Sequence, residues 1–436
     1  MDTIRTRIAP SPTGNLHIGT ARTALFNYAY AKKHKGRFLL RIEDTDKERS
    51  KKEFEENIIE GLSWLGFHYD KEIIQQSERK DIYKKYLKKL LDSGSAYESK
   101  EKEEEGKRES VIRFKNPGKK VVFSDLIRGE IEIDTSDLGN FVIAKDFDTP
   151  LYHLAVVVDD LEMNITHIIR GEDHISNTPR QILIQEALHG KRPSYAHLPL
   201  ILAEDRSKLS KRHGAMSISE YKALGYEKDA LVNFLALLGW RPIEDAEIFS
   251  LEKIVSEIDL SRIQKGGAIF DIKKLNFLNK HYLKKDPEIH EKIKALLPKE
   301  ITLNAPLQTI LLERITILSD ITKMFKEGEE LDFILNLPNY ESVLLREPKK
   351  NPPGKNVKKH LEYITRVFMD EKSFHSPEKI KTLVWDYASK EGRGEVLWGM
   401  RVALTGKAKS PDPFTITSIL GKDEAIKRLK IASGKL

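Results

Sequence analysis

The sequence of 436 residues contains no cysteine. This absence excludes disulfide bonds, thiolate nucleophiles and zinc sites built from cysteine, so any metal would have to be bound by oxygen or histidine. The sequence also lacks any apolar run near the roughly 20 residues that a membrane-spanning helix needs. Residues 1–5 lead directly into a strand-like run rather than into a signal peptide, and we therefore expect a cytoplasmic protein.

Neither sign of charge dominates the chain. Lys and Arg number 74, and Asp and Glu number 67, which gives a formal net charge of +7. This modest excess is compatible with a polyanionic partner, but it is equally typical of an ordinary soluble basic protein. The length predicts two to four compact units, and the hydrophobic content of 39% allows each unit to bury an interior.

The N-terminal segments alternate between strand-like and helical patterns. Strands are predicted at 6–9 and 37–43, and amphipathic helices at 21–33 and 54–65. This βαβα order predicts a parallel sheet with right-handed crossovers. In such sheets ligands bind beyond the carboxyl ends of the strands.

The pattern changes between residues 83 and 150. Alternating stretches at 111–114, 120–123 and 130–133 predict an antiparallel insert that interrupts one nucleotide-binding domain. The α/β pattern resumes at 154–158 and 166–170, and from residue 219 onward the patterns are almost wholly helical.

The segment after the first strand is suited to binding an anion. Pro10-Ser-Pro-Thr-Gly-Asn-Leu16 precedes His17-Ile-Gly-Thr20, which opens a helix, so backbone N–H groups and the helix dipole favour negative charge there. His17 could donate a hydrogen bond to a phosphoryl oxygen, and Gly19 leaves room for a flat ring. A lone histidine at a helix start is nevertheless more often a surface or capping residue.

A second segment, Arg206-Ser-Lys-Leu-Ser-Lys-Arg-His-Gly214, places four cations in a short loop. Mobile lysines there could stabilise negative charge that develops in a transition state. Alone, such a run is more often a solvated basic surface. The two segments together favour ATP as the ligand.

Both segments resemble the signatures of class I aminoacyl-tRNA synthetases, His-Ile-Gly-His and Lys-Met-Ser-Lys-Ser. His17-Ile-Gly-Thr20 and Lys208-Leu-Ser-Lys-Arg212 depart from those forms as glutamyl-tRNA synthetases commonly do. Further stretches similar to that family lie at 7–14, 41–46, 152–160, 169–178, 266–271 and 401–406, so the resemblance covers nearly the whole chain.

The resemblance implies a set of site residues. Residues implied in catalysis are His17, Gly19, Thr20, Lys208, Ser210 and Lys211. Residues implied in ATP binding are Pro12, Thr13, Gly14, His17, Gly19, Lys208, Lys211 and Arg212. Residues implied in glutamate binding are Arg7, Ala9, Ser11, Glu43, Tyr152 and Arg170.

The resemblance also implies which of the glutamate-binding residues contacts each charged group of glutamate. Arg7 and Tyr152 would bind the side-chain carboxylate, Ser11 and Glu43 the ammonium group, and Arg170 the α-carboxylate. For each buried Arg or Glu, a structural ion pair is the alternative interpretation. Val156 is expected in the core rather than at the site.

The implied reaction is ligation of L-glutamate to tRNA through glutamyl-adenylate, with ATP as substrate and Mg²⁺ on its phosphates. The resemblance further implies that tRNA must be bound before glutamate is activated. Where many bacterial relatives carry a zinc site, this chain has Tyr97-Glu-Ser-Lys100, so no protein-bound metal and no zinc are expected. The expected partners are tRNA, L-glutamate and ATP, without a membrane, and the expected state is a monomer.

The implied fold is α/β, a Rossmann-like catalytic domain with an inserted α+β domain and an all-helical C-terminal region. The predicted divisions are 1–82 and 151–204 for the catalytic domain, 83–150 for an acceptor-end-binding insert, 205–288 for a stem-contact domain and 289–436 for an anticodon-binding region.

Four other classes of protein can be compared with the residues of this sequence. Glutaminyl-tRNA synthetases tend to have Pro-Glu-Pro-Asn-Gly at positions 10–14 and end in β-barrels, and the short paralogues that glutamylate queuosine in tRNA stop before an anticodon-binding region. A nucleotidylyltransferase is usually far shorter. A binding-only RNA protein is disfavoured by His17, Lys208 and Lys211. Whether tRNA for glutamine is also charged stays open.

Overall fold

A computed structural model describes residues 3–100, 110–209, 216–346, 356–372, 374 and 376–436 of the chain. The chain divides into two compact units, Met1–Leu278 and Asn279–Leu436. Within the described ranges, no helix combines the length and the apolar character needed to cross a bilayer.

The first unit contains both helices and strands, as the βαβα order predicts. Its elements begin with β1 (Arg5–Ile8), α1 (Ile18–Lys33), β2 (Arg37–Ile42), α2 (Lys52–Trp64), β3 (Ile74–Gln75) and α3 (Lys80–Asp92). They continue with β4 (Ala96–Lys100), β5 (Ser110–Phe114), β6 (Lys120–Asp125), β7 (Gly129–Asp134), β8 (Phe141–Asp146), β9 (Thr149–Pro150) and α4 (Tyr152–Glu162). The remaining elements are β10 (His167–Gly171), α5 (Thr178–Ala187), β11 (Ser194–Leu198), β12 (Ile201–Leu202), α6 (Ile218–Leu224), α7 (Lys228–Leu237), α8 (Leu251–Glu257) and β13 (Ala268–Ile269), and α9 (Ile272–Lys285) contains the division between the units.

The N-terminal strands form a parallel sheet in the order β1-β2-β3. The start of β10 lies beside the start of β1, because the backbone N–H of Thr166 donates to the carbonyl of Arg5 at 3.0 Å. Several predicted site residues lie in or directly after these strands: Arg7 in β1, Glu43 after β2 and Arg170 in β10. Sequence periodicity located β1, β2 and β10 to within about one residue, whereas β3 was not predicted.

Helix α1 returns to the sheet through a tight turn. Its buried side chains include Ala21, Ala24 and Leu25, which pack it against the strands. After the helix, a Cβ on Gly36 would lie 2.3 Å from the carbonyl oxygen of Ile4, so only glycine fits where the chain re-enters the sheet.

The insert forms two different pieces of sheet. Strands β4, β5, β8 and β9 form an antiparallel sheet, in which only β5 corresponds to a predicted stretch, 111–114. The β6–β7 hairpin instead extends the sheet of β10 and β11, because Asp125 at the end of β6 pairs in parallel with Tyr195 of β11. The resulting strand order is β10-β11-β6-β7.

One core joins the insert to the neighbouring helices. It includes Leu87 of α3, Phe114 of β5, Phe123 of β6, Leu154 of α4 and Ile182 of α5, all buried. Residues 154–158 thus belong to a buried helix, α4, in which Val156 is 2% exposed, as expected for a core position.

The described residues of the second unit form helices and connecting loops, without strands. Its helices are α10 (Ile289–Leu296), α11 (Ala305–Arg314), α12 (Asp320–Met324), α13 (Val357–Asp370), α14 (Pro377–Glu391), α15 (Arg393–Thr405), α16 (Pro413–Leu420) and α17 (Lys422–Gly434). Apolar side chains from these helices, such as Leu311, Leu361, Met400 and Leu429, form a separate core.

Candidate active site

The loop between β1 and α1 is held in place by its neighbours. The carbonyl of Pro10 accepts from the backbone N–H of Glu43 at 3.0 Å, and the carbonyl of Pro12 accepts from Lys51 at 3.0 Å. Pro12 is buried, whereas the side chains of Ser11 and Thr13 are exposed. The loop is therefore fixed to the end of β2 and the start of α2, with polar side chains left available.

His17 caps the N-terminus of α1. Its Nδ1 accepts from the backbone N–H groups of Gly19 at 3.1 Å and Thr20 at 3.3 Å, and its Nε2 lies 2.9 Å from Thr20 Oγ1. Because Nδ1 accepts, the proton of the neutral ring is on Nε2. Although His17 lies at the surface, partial burial of its ring and the charge of Lys208 lower its pKa below the ordinary value, which favours the neutral ring at pH 7.

Gly19 makes room for this imidazole. A Cβ at residue 19 would lie 3.0 Å from His17 Cε1 and 3.1 Å from His17 Nδ1. A side chain there would displace the capping ring. The capping interpretation of His17 is thus confirmed by geometry, while its role toward a phosphate stays a prediction.

The structure brings the described flanks of the second segment close to His17. Lys208 pairs with Leu202 in a short hairpin, and its charge acts on the His17 ring. Ser217 pairs with His17 in an antiparallel bridge, and the N–H of Ile218 donates to the carbonyl of Leu16 at 2.8 Å. The predicted residues Ser210, Lys211 and Arg212 lie outside the described residues.

Arg7 and Glu43 lie in a buried ion-pair network. Arg7 donates to both oxygens of Asp160, at 3.1 and 3.3 Å. Arg41 donates to Asp160 at 2.6 Å and to Glu43 at 3.0 Å. Sequence reasoning did not select Arg41 or Asp160, although a charged residue inside the apolar run of β2 was a readable signal.

Glu43 has an elevated pKa in this network. Burial raises the pKa of its carboxyl group, and the Arg41 guanidinium acts in the opposite direction. Its carboxylate is therefore shielded from water but not fully compensated.

Tyr152 lies close to the other side chains predicted to bind glutamate. Its hydroxyl lies 3.0 Å from His174 Nδ1. The pKa of the phenol is raised, first by burial and then by the charge of Glu43, while Arg170 and Arg7 act to lower it. The structure thus brings Arg7, Glu43, Tyr152 and Arg170 close enough for their charges to interact, and we call this group, together with Ala9 and Ser11 in the loop that follows β1, the crevice.

Arg170 is a buried cation held by neutral groups. It is 6% exposed, and it donates from Nε to His197 Nε2 at 3.3 Å and from Nη2 to Thr178 Oγ1 at 2.7 Å. Its Nη1 is buried without a hydrogen-bond partner among the described residues. Burial lowers the pKa of Arg170, as expected for a charge that lacks a counter-ion.

The sequence of the chain matches two known protein families. A family model described as tRNA synthetases class I (E and Q), catalytic domain, matches residues 3–110 and 98–277, and one described as an anticodon binding domain matches residues 275–433. Glutamate–tRNA ligase 1 of Caldicellulosiruptor saccharolyticus is 40% identical over 98% of this chain and 98% of its own. The chain belongs to the glutamate–tRNA ligases of class I.

Other members of the glutamate–tRNA ligase family are also similar to this chain in sequence and in structure. The ligase of Aquifex aeolicus is 50% identical over 65% of this chain and 67% of its own. The crystal structure of a glutamate tRNA ligase from Elizabethkingia meningosepticum in complex with its amino acid matches with a TM-score of 0.88 at 30% identity, over 99% of each chain. The predicted fold, an α/β class I catalytic region followed by a helical anticodon-binding region, is confirmed for this ligase.

Proposed function

We propose that this chain attaches L-glutamate to the 3′ end of tRNA for translation, in two steps. The glutamate α-carboxylate attacks the α-phosphate of ATP, which forms glutamyl-adenylate and releases pyrophosphate. The 2′-hydroxyl of the terminal ribose then takes the glutamyl group and releases AMP.

The environment of Arg170 is the observation that best supports glutamate as the substrate. A buried guanidinium without a carboxylate partner is costly, and a bound carboxylate would provide the missing counter-ion. The planar guanidinium matches a carboxylate in two parallel hydrogen bonds. We assign Arg170 to the α-carboxylate, Arg7 and Tyr152 to the side-chain carboxylate, and Ser11 and Glu43 to the ammonium group, with Ala9 in the same loop.

The ATP side consists of the loop after β1 and the cations of the second segment. We assign Pro12, Thr13, Gly14 and the start of α1 to ATP, because the positive end of the helix dipole favours phosphate. His17, Lys208 and Lys211 would stabilise negative charge as the α-phosphate is attacked, together with Gly19, Thr20, Ser210 and Arg212. Positioning and charge stabilisation are sufficient for this chemistry, so no side-chain nucleophile is needed.

Magnesium would accompany the phosphates. Mg²⁺ keeps several water ligands and is commonly bound through substrate phosphates. The described residues contain no group of three or more carboxylates or histidines arranged around a metal, so we assign no protein ligand to it.

The tRNA would contact three further regions. We propose that residues 83–150 bind the acceptor end, residues 205–288 the stem and residues 289–436 the anticodon. The match of an anticodon-binding family to residues 275–433 supports the last assignment.

Charging of purified tRNA with radiolabelled glutamate and ATP tests the proposal. We expect labelled tRNA from the wild type, and a raised KM for glutamate with Arg170→Ala. Arg192→Ala is a matched control, because Arg192 is half-exposed and pairs with Glu186 outside the crevice. AMP transfer to a small metabolite without tRNA, or a wild-type KM for glutamate in Arg170→Ala, would contradict the proposal.

A further inference from the structure

A chain of buried polar groups connects the β6–β7 hairpin to Arg170. His197 of β11 lies between Asp125, at the end of β6, and Arg170 of β10. The side chains of Asp125 and His197 are both completely shielded from solvent. The three residues are far apart in sequence, and the sheet order β10-β11-β6 brings them together.

The hydrogen bonds fix the tautomer of His197. Its Nδ1 lies 2.7 Å from Asp125 Oδ2, and its backbone N–H donates to the same oxygen at 3.0 Å. A carboxylate only accepts, so Nδ1 carries the proton. Nε2 of the neutral ring is then an acceptor, and it lies 3.3 Å from the donor Nε of Arg170.

Asp125 is itself held in one orientation. Its Oδ1 accepts from the backbone N–H groups of Ile127 and Arg128, both at 2.9 Å. The turn between β6 and β7 therefore fixes the carboxylate of Asp125, and this carboxylate fixes the imidazole of His197. The imidazole in turn accepts a hydrogen bond from the guanidinium of Arg170.

One edge of the Arg170 guanidinium, formed by Nε and Nη2, is set by these contacts. Nε is bound by His197 and Nη2 by Thr178, whose Oγ1 also lies 3.1 Å from His197 Nε2. Two donors bound to a fixed frame determine the plane of the group. Nη1 is the donor left without a partner in the described part of the chain.

We infer that Asp125 and His197 are positioning residues that orient Arg170 to bind the α-carboxylate of glutamate. The inference rests on the proposed assignment of Arg170 to that carboxylate. Neither residue touches the reacting atoms. Their effect is on the binding of one part of the amino acid.

Two substitutions of His197 separate positioning from folding. In His197→Asn, the shorter amide can still donate to Asp125 but does not reach Arg170. In His197→Gln, the longer amide places an oxygen near the original position of Nε2. Because a misoriented guanidinium loses hydrogen bonds to the bound carboxylate, we expect the KM for glutamate to rise on the order of tenfold or more in His197→Asn. We expect most of the affinity to be recovered in His197→Gln.

The experiment measures aminoacylation of tRNA by the full chain. The KM for glutamate should rise in His197→Asn while the KM for ATP stays unchanged. The inhibition constant of 4-aminobutanoate, which is glutamate without its α-carboxylate, should not change between the wild type and His197→Asn. A buried histidine of the second unit, His360, provides the control, and His360→Phe should leave the KM for glutamate unchanged.

Each alternative result overturns the inference. An unchanged KM for glutamate in a folded His197→Asn variant, judged by thermal unfolding, excludes positioning. An equal weakening of glutamate and 4-aminobutanoate indicates general disruption of the crevice instead. If the wild type binds 4-aminobutanoate as tightly as glutamate, the proposed role of Arg170 fails first, and the inference fails with it.

Discussion

His17 combines a structural and a proposed chemical role, and one substitution separates them. Nδ1 accepts the first backbone N–H groups of α1, whereas Nε2 carries the proton that is proposed to reach a phosphoryl oxygen. Asparagine is among the strongest capping residues but has no imidazole. His17→Asn therefore keeps the cap and removes the Nε2 donor, while His17→Ala removes both.

The two roles differ in magnitude. Loss of a capping side chain costs about 1 kcal/mol of stability, which lowers the melting temperature of a domain of this size by about 2–4 °C. Loss of one preorganised donor to a developing negative charge costs about 10²–10³ in kcat. We expect His17→Ala to lose both stability and kcat, and His17→Asn to lose only kcat.

Thermal unfolding and the rate of tRNA charging at saturating ATP measure the two effects. His34 caps the other end of α1 away from the loop, so His34→Ala is the matched control and should keep the wild-type kcat. Charging by His17→Asn at the wild-type rate would refute the chemical role and leave His17 as a helix cap only.

Four further predictions concern other parts of the site. Lys211→Ala should reduce the rate of glutamate activation far more than the affinity for ATP, and equal losses in a pre-steady-state assay would exclude a role specific to the transition state. ATP–pyrophosphate exchange with glutamate should require tRNA, and clear exchange without tRNA would show that this family property does not extend to the chain. Metal analysis of the purified protein should find no zinc, and one equivalent per chain would contradict the prediction made from residues 97–100. Lowering the pH from 7 to 5 should lower the melting temperature. Burial reduces the pKa of His153 and His174 to about 4, whereas the same histidines in the unfolded chain take up protons near pH 6.5. His153→Phe should weaken this dependence of the melting temperature on pH.

Local patterns were sufficient to predict the N-terminal elements. The strand predicted at 37–43 is β2 (Arg37–Ile42), and the helix predicted at 54–65 is α2 (Lys52–Trp64). Helix α2 carries an apolar face with helical spacing, whereas β2 is a short run that is buried on both faces. The periodic pattern covers only 21–33, but α1 begins at Ile18, within the segment His17-Ile-Gly-Thr20 that was predicted to open the helix.

Long-range pairing explains what the sequence did not reveal. The run of β-branched residues 156–158 is typical of a strand, but α4 buries it on several sides, and burial outweighs propensity. Sheet order and helix packing alone bring Asp160 to Arg7, Asp125 to His197 and His197 to Arg170. No spacing in the sequence indicates such contacts.

The pairing of β6 with β11 has a consequence for protein engineering and for evolution. Residues 83–150 look like a cassette that could be exchanged between relatives to alter which acceptor ends are recognised. Exchange at those limits would also remove the outer strands of the β10-β11-β6-β7 sheet and expose the edge of β11. A workable graft must therefore keep the host's own hairpin, 120–134, and replace only the antiparallel sheet around it. Natural variation in this region should follow the same division: the hairpin should change together with β11, and β4, β5, β8 and β9 should change independently of it, except at positions such as Phe114 that belong to the shared core.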